Sequence, residues 1–211
     1  SLQNYLKSGF NPKSVGGIPS VSFEASIHYY HHKNALKNMH ALLPCSRLIW
    51  ILRNPLPRAV SEYLHQAVKS RKYPSFKDLV TREIAAIHKC KENTVVENYQ
   101  LGFENGIFSC LGKFKLKKYM ISSAFYGYFI SAWLEKFPRE QHLFLDYEEF
   151  KRSPQSAVEK ITAFLTLPPP PKLNFTWIYN KANTRDGVAQ KLRAQIRLSS
   201  AEKKMITREI T

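Results

Sequence analysis

Two side chains suited to gripping an anion, Arg53 and Ser61, flank the turn that follows the most apolar short run of the chain. A guanidinium presents a planar fork of donors that matches two phosphate oxygens, and a hydroxyl adds a short further donor. The residues around them decide whether they can converge. Leu48-Ile49-Trp50-Ile51-Leu52 is a continuous apolar run, which predicts a strand buried on both faces. Asn54-Pro55 and Leu56-Pro57 stop it, because each proline lacks an N–H and disfavours helix in the residue before it. A helix is expected from Pro57 or Arg58, where a missing N–H costs nothing. Arg53 then lies at the carboxyl end of a strand and Ser61 about one turn after Arg58. Ligands of open parallel sheets bind beyond the carboxyl ends of the strands.

The segment Leu-Arg-Asn-Pro-x-x-Arg-Ala-x-Ser-x-Tyr over Leu52 to Tyr63 resembles the 3'-phosphate-binding motif of sulfotransferases that use 3'-phosphoadenosine-5'-phosphosulfate (PAPS). The resemblance implies that Arg53 and Ser61 hold the 3'-phosphate of that co-substrate, with Arg58 bracing the turn. A second stretch is similar to the C-terminal half of the same family: Tyr126-x-x-x-Ile130-x-x-Trp133-Leu134-x-x-Phe137-Pro138-x-x-Gln141, then an apolar strand, Tyr147-Glu148-x-Phe150, Pro154, and Ile161-x-x-Phe164-Leu165. Glu24-Ala25-Ser26 resembles the segment on the wall of the active-site cleft in carbohydrate sulfotransferases, which makes Glu24 and Ser26 candidates for substrate contact; helix capping is the competing reading. In the tail, Arg185 matches a basic loop that closes over the cofactor, or is one more surface arginine. Lys113 and Lys115 are candidates for the acceptor, with solvated charge as the alternative. The implied fold is α/β, a mainly parallel sheet flanked by helices on both faces, related to the P-loop nucleotide-binding architecture. The implied reaction is sulfo transfer from PAPS to a hydroxyl of a glycosaminoglycan-like carbohydrate. The alternative is a non-catalytic polyanion-binding module that keeps the fold.

The loop that cradles the 5'-phosphosulfate in that family, Pro-Lys-x-Gly-Thr-Thr or similar, has no full counterpart in the 211 residues. Lys7-Ser8-Gly9 and Pro12-Lys13-Ser14-Val15-Gly16 match in part, but Pro12 and Pro19 follow where a helix should begin. No catalytic base is identified. The expectation is a single domain over 1–211 that is truncated at its N-terminus, a fragment of a longer chain inactive in isolation.

The supporting elements follow from periodicity and punctuation. A helix is expected over Ile27 to Leu43, ended by Pro44. Phe76, Leu79, Val80, Ile84 and Ile87 recur at helical spacing and predict a core-facing helix to His88. Ser122 to Phe137 reads as one helix carrying Phe125, Phe129, Trp133 and Phe137 at four-residue steps. Gln141 to Phe150 reads as a strand running into a helix start, Ala157 to Leu165 as a further helix, and Ser199 as the N-cap of a last one. Cys90 to Lys118 is the least regular part. His28, His31 and His32 share one helical face, but no Cys or carboxylate completes a ligand set, so no metal is expected.

Composition bounds the partners. The net charge is +16, from 32 Lys+Arg against 16 Asp+Glu, which predicts an anionic partner such as an acidic or sulfated polysaccharide. No basic–aromatic signature of a nucleic-acid reader is present. The 44% hydrophobic and 13% aromatic content excludes a disordered chain. No apolar run reaches the roughly 20 residues that span a bilayer, so membrane attachment is expected only through a segment outside the chain. Among three cysteines, Cys90 and Cys110 either pair in an oxidising compartment or remain separate buried thiols. Asn174-Phe175-Thr176 is an N-glycosylation sequon, and the resemblance implies a Golgi-lumenal glycoprotein.

Overall fold

The structure is a computed structural model that describes residues 23–26, 29–69, 72–93, 107–114, 116, 119–175 and 188–210. The partial loops over Lys7 to Gly16, His28, Lys115 and Arg185 lie outside the described residues, as does Thr176 of the sequon. Two compact units divide the chain, Ser1–Pro44 and Cys45–Thr211.

In the first unit, Phe23 to Ser26 have no regular structure. A 3-10 turn at Tyr29–His31 precedes helix α1, Lys33–Leu42. The single helix expected from Ile27 is thus split. His32 occupies the N-cap without a side-chain hydrogen bond, and a histidine there lacks the short oxygen that makes a good cap. Of the histidines expected to share a face, His31 ends the 3-10 turn and His32 is the N-cap of α1.

The second unit begins with β1, Leu48–Leu52, then α2, Pro55–Ala67, and α3, Phe76–Asn93. Helices α4, Ile107–Gly112, and α5, Tyr126–Leu134, lead to β2, His142–Asp146. Helices α6, Tyr147–Arg152, α7, Pro154–Phe164, α8, Val188–Gln195, and α9, Ser200–Ile210, complete it. The strands pair in parallel with Leu48 opposite His142 and Leu52 opposite Asp146. The α/β architecture with a parallel sheet is therefore present.

The core lies between α2, α3, α4 and α9. It joins Ala59, Tyr63 and Leu64 to Phe76, Val80 and Ile87, closed by Leu111 and Ile206. Cys90 at the end of α3 is bonded to Cys110 in α4, with 5.7 Å between their Cα atoms, so the pairing is the realised alternative. Helix α9 starts with the expected cap: the Glu202 N–H donates to Ser199 Oγ, and Ser199 N–H donates to Glu202 Oε2 at 2.8 Å, a reciprocal capping box. Lys77 of α3 pairs with the other oxygen of Glu202 at 2.8 Å.

A second, aromatic cluster covers one face of the sheet. Trp50 stacks on His142 and Phe144 and meets Trp133 of α5 edge-on at 5.7 Å. Trp50 Nε1–H donates to His142 Nδ1 at 2.9 Å, while Nε2 of that histidine lies 3.1 Å from the Phe137 carbonyl. An indole can only donate, so the neutral ring carries its proton on Nε2 and satisfies both contacts. On the opposite face Leu145 is buried, and α7 packs against β2.

Two expectations need correction here. Leu48–Leu52 is not buried on both faces: Ile49 and Ile51 are 38% and 46% exposed. An apolar run shows that both faces favour cover, not that this chain supplies it. The helix over Ser122 to Phe137 is also interrupted. Ser122–Ala124 forms a 3-10 turn, Phe125 leaves the helical region at φ −72°, ψ 60°, and the α-helix runs only over Tyr126–Leu134.

Candidate functional site

The parallel register places the ends of the two strands side by side. Leu52 pairs with Asp146, so the next residues, Arg53 and Tyr147, leave the sheet together at its carboxyl edge. The Arg53 guanidinium lies over the Tyr147 ring, 4.6 Å from its centroid. This geometry suits a cation on a π-face and fixes the orientation of the fork. Arg53 Nε stands 3.7 Å from Glu148 Oε1, beyond hydrogen-bond range. It is a buried N–H without an acceptor.

Helix α2 leaves the same edge. It starts at Pro55, two or three residues before the expected Pro57 or Arg58, because Asn54 caps it by accepting from Leu56 N–H at 3.2 Å. Its first three positions are Pro55, Leu56 and Pro57. Two have no N–H and the third is engaged by Asn54. An anion at this corner therefore finds little backbone hydrogen bonding in the first turn of α2, unlike the usual helix N-terminus. Selective binding has to come from side chains. Ser61 is half-buried one turn after Arg58, and its hydroxyl makes no hydrogen bond with the described residues.

Arg58 does not brace its own turn as expected. Its guanidinium donates to the Met120 carbonyl, while its Nε is a second buried donor without an acceptor. Tyr126 closes the corner. Burial pushes its phenol up, against the pull of the Arg58 cation, the Arg53 backbone N–H and the Arg53 cation. Both arginines thus bear on one phenol. Unspent buried donors on Arg53 and Arg58, with a hydroxyl one turn further on, fit a phosphate dianion.

Sequence reasoning overlooked Glu83. It sits four residues after Leu79 and four before Ile87, within the core stripe of α3, and is fully buried. Its Oε2 accepts from the N–H groups of Met120 and Ile121 at 2.6 and 2.9 Å, and its Oε1 from Ser122 N–H and Oγ at 2.8 and 2.6 Å. Burial raises its pKa, and the four donors oppose the rise. A carboxylate at a core-facing helical position was the available signal.

Of the remaining predicted residues, Arg185 and Lys115 lie outside the described residues. Glu24 and Ser26 belong to the first unit and are exposed; the serine N–H and hydroxyl each donate to the Glu24 carboxylate at 3.0 Å. Neither caps α1. Lys113 is exposed just after α4. No group of three or more His, Cys, Asp or Glu side chains among the described residues could hold a metal ion. No helix among them is long and apolar enough to cross a membrane.

A parallel α/β domain with unspent arginine donors at the carboxyl edge of its sheet is the class that the fold and this corner define. The sulfotransferase domain family matches residues 26–205, and the chain belongs to that family. It is 28% identical over 169 residues to the bifunctional heparan sulfate N-deacetylase/N-sulfotransferase 1 of Caenorhabditis briggsae, covering 80% of this chain and 18% of that protein. It is 25% identical over 156 residues to the heparan sulfate glucosamine 3-O-sulfotransferase 6 of Homo sapiens, covering 74% and 37%. The chain thus spans 18% and 37% of the length of these two relatives. Among solved structures, a sulfotransferase from Alicyclobacillus acidocaldarius superposes with a TM-score of 0.52 at 20% identity, over 89% of this chain and 62% of that one. That likeness shows the fold.

Proposed function

We propose that the chain supplies the 3'-phosphate half of a PAPS-dependent carbohydrate sulfotransferase. The observation that carries this reading is the corner where Arg53, stacked on Tyr147 with its Nε unpaired, follows the strand that turns into the helix bearing Ser61. PAPS supplies an activated sulfo group. In the reaction the S–O bond to the nucleotide phosphate breaks, a new S–O bond forms to the acceptor oxygen, and the acceptor proton passes to a base. Arg53 and Ser61 would anchor the nucleotide by its 3'-phosphate, remote from the transferred group, so their contribution is orientation. Three further statements belong to the same reading. The acceptor is a glycosaminoglycan-like polysaccharide, supported by the heparan sulfate names of the relatives and by the +16 charge. Arg185, Lys113 and Lys115 are contacts to the nucleotide or acceptor. The location is the Golgi lumen, supported by the Cys90–Cys110 bond and by the exposure of Asn174, since disulfides persist in oxidising compartments.

Calorimetry on the protein tests the phosphate assignment. 3'-Phosphoadenosine-5'-phosphate (PAP) should bind at least about tenfold more tightly than its 2'-phosphate isomer, because a bidentate grip is directional. Equal affinity for the two isomers would overturn the reading.

A further inference from the structure

We infer that Glu83 is a positioning residue for the phosphate grip, holding the turn at residues 120–122 so that the Met120 carbonyl fixes the Arg58 guanidinium at the corner shared with Arg53. The inference rests on the phosphate reading of Arg53 and Ser61. Its ground is an unbroken chain of contacts. Three successive backbone N–H groups and the Ser122 hydroxyl converge on the Glu83 carboxylate. Three N–H vectors ending on two oxygens leave the turn little freedom to rotate, and N–H groups can only donate, so the ionised carboxylate is the form they select. The peptide unit on the other side of Met120 presents its carbonyl to Arg58.

Two arms reach the anion corner from this one turn. The first is the bond from the Met120 carbonyl to Arg58, which sits one turn before Ser61 on α2 and so sets the rotation of that helix start. The second is covalent: Ser122–Ala124 continues through Phe125 into Tyr126, whose phenol lies within the electrostatic reach of both Arg53 and Arg58. An apolar side chain at position 83 would fill the core as well. It would leave three N–H groups unpaired and the turn free to drift, and the guanidinium would lose its fixed carbonyl. A buried carboxylate is a costly way to pack a core, and positional definition is what it supplies in return.

The test uses the full chain and two nucleotides, PAP and adenosine 5'-phosphate, which lacks the 3'-phosphate. Glu83→Gln keeps the shape but turns an NH2 toward N–H donors. Ser122→Ala removes a single donor and leaves every backbone bond, and so guards against failure of the first variant to fold. Glu83→Gln should weaken PAP about tenfold or more and adenosine 5'-phosphate less than about twofold, with Ser122→Ala showing about a two- to fivefold loss confined to PAP. In the double variant with Arg58→Lys, the loss from Glu83→Gln should largely disappear, since both act through one link. A role in folding alone lowers melting temperature and leaves the PAP preference of the folded fraction untouched. A wild-type preference in either folded variant would overturn the inference. Should the wild-type protein itself show no preference for PAP, the phosphate reading falls and this inference falls with it.

Discussion

Replacing Arg53 by alanine removes a guanidinium whose orientation is already fixed. The ring of Tyr147 lies 4.6 Å beneath it, so the entropy of aligning the fork is largely spent before a ligand arrives. Its acidic neighbour among the described residues, Glu148, competes weakly. Glu148 is 3.7 Å from Nε and its side chain is 52% exposed, which makes the pair a surface interaction worth at most about 1 kcal/mol. Two charged hydrogen bonds to a phosphate contribute about 1.5–3 kcal/mol each. After subtracting the lost Glu148 pairing and some solvent competition at a side chain that is 25% exposed, about 2–4 kcal/mol remains, a loss of roughly 30- to 1,000-fold in the Kd for PAP. Arg53→Lys keeps the charge but loses the fork and the stacking, and should retain a minor part of this affinity. Tyr147→Phe preserves the π-face and should bind like the parent. Titration calorimetry at constant salt, with the 2'-phosphate isomer as control, measures all three. Equal losses for both isomers on Arg53→Ala would mean that Arg53 holds the fold and not the ligand, and the reasoning from strand ends to phosphate would fail.

Three further outcomes are expected. Reducing the Cys90–Cys110 bond, which closes a loop of sequence separation 20, should cost about 3 kcal/mol on a chain-entropy estimate; urea unfolding with and without reductant checks this, and coincident curves would contradict it. His142 is held below the usual histidine range by burial, with the Arg139 cation adding to the depression. Its contribution to stability is therefore present above the unfolded-state pKa of about 6.5 and lost as pH falls through the folded value, and His142→Gln should flatten the slope of melting temperature against pH in that window. Binding to an immobilised sulfated polysaccharide should fall steeply from about 0.1 M to about 1 M salt, as the Debye length shrinks from about 10 to about 3 Å; retention that ignores salt would remove polyanion attraction as the reason for the charge.

The local grammar of the site was readable and its tertiary bracing was not. Apolar strand, Asn-Pro stop and helix after Arg53 follow from rules that act within a few residues, and β1, α2 and the β2–α6 junction realise them. The error at the start of α2 was also local: Asn54 outcompetes Leu56 as a cap because its oxygen reaches an N–H two residues on. The bonds that tie the Ser122 turn into the core run instead to Glu83, 39 residues upstream of Ser122, and no window of helical periodicity contains that partner. The Arg58–Met120 link spans 62 residues and was invisible for the same reason. His142 was read only as part of a strand, since its pairing with Trp50 requires the parallel register.

The starting turn of α2 explains why the grip needs long-range bracing. Many phosphate sites use the free N–H groups at a helix start, which are rigid because the helix itself positions them. Here Pro55 and Pro57 delete two such donors and Asn54 engages the third. On the proposed reading the grip passes to Arg53 and Ser61, and a long arginine side chain is accurate only if something else restrains it. Tyr147 restrains Arg53 from the neighbouring strand end, and the turn held by Glu83 restrains Arg58 through the Met120 carbonyl. Proline makes the turn from strand to helix stiff, at the expense of backbone donors. On the phosphate reading proposed above, the side chains recover an anion site with a directional fork, and a fork can separate a 3'-phosphate from a 2'-phosphate where a bare helix dipole would discriminate far less.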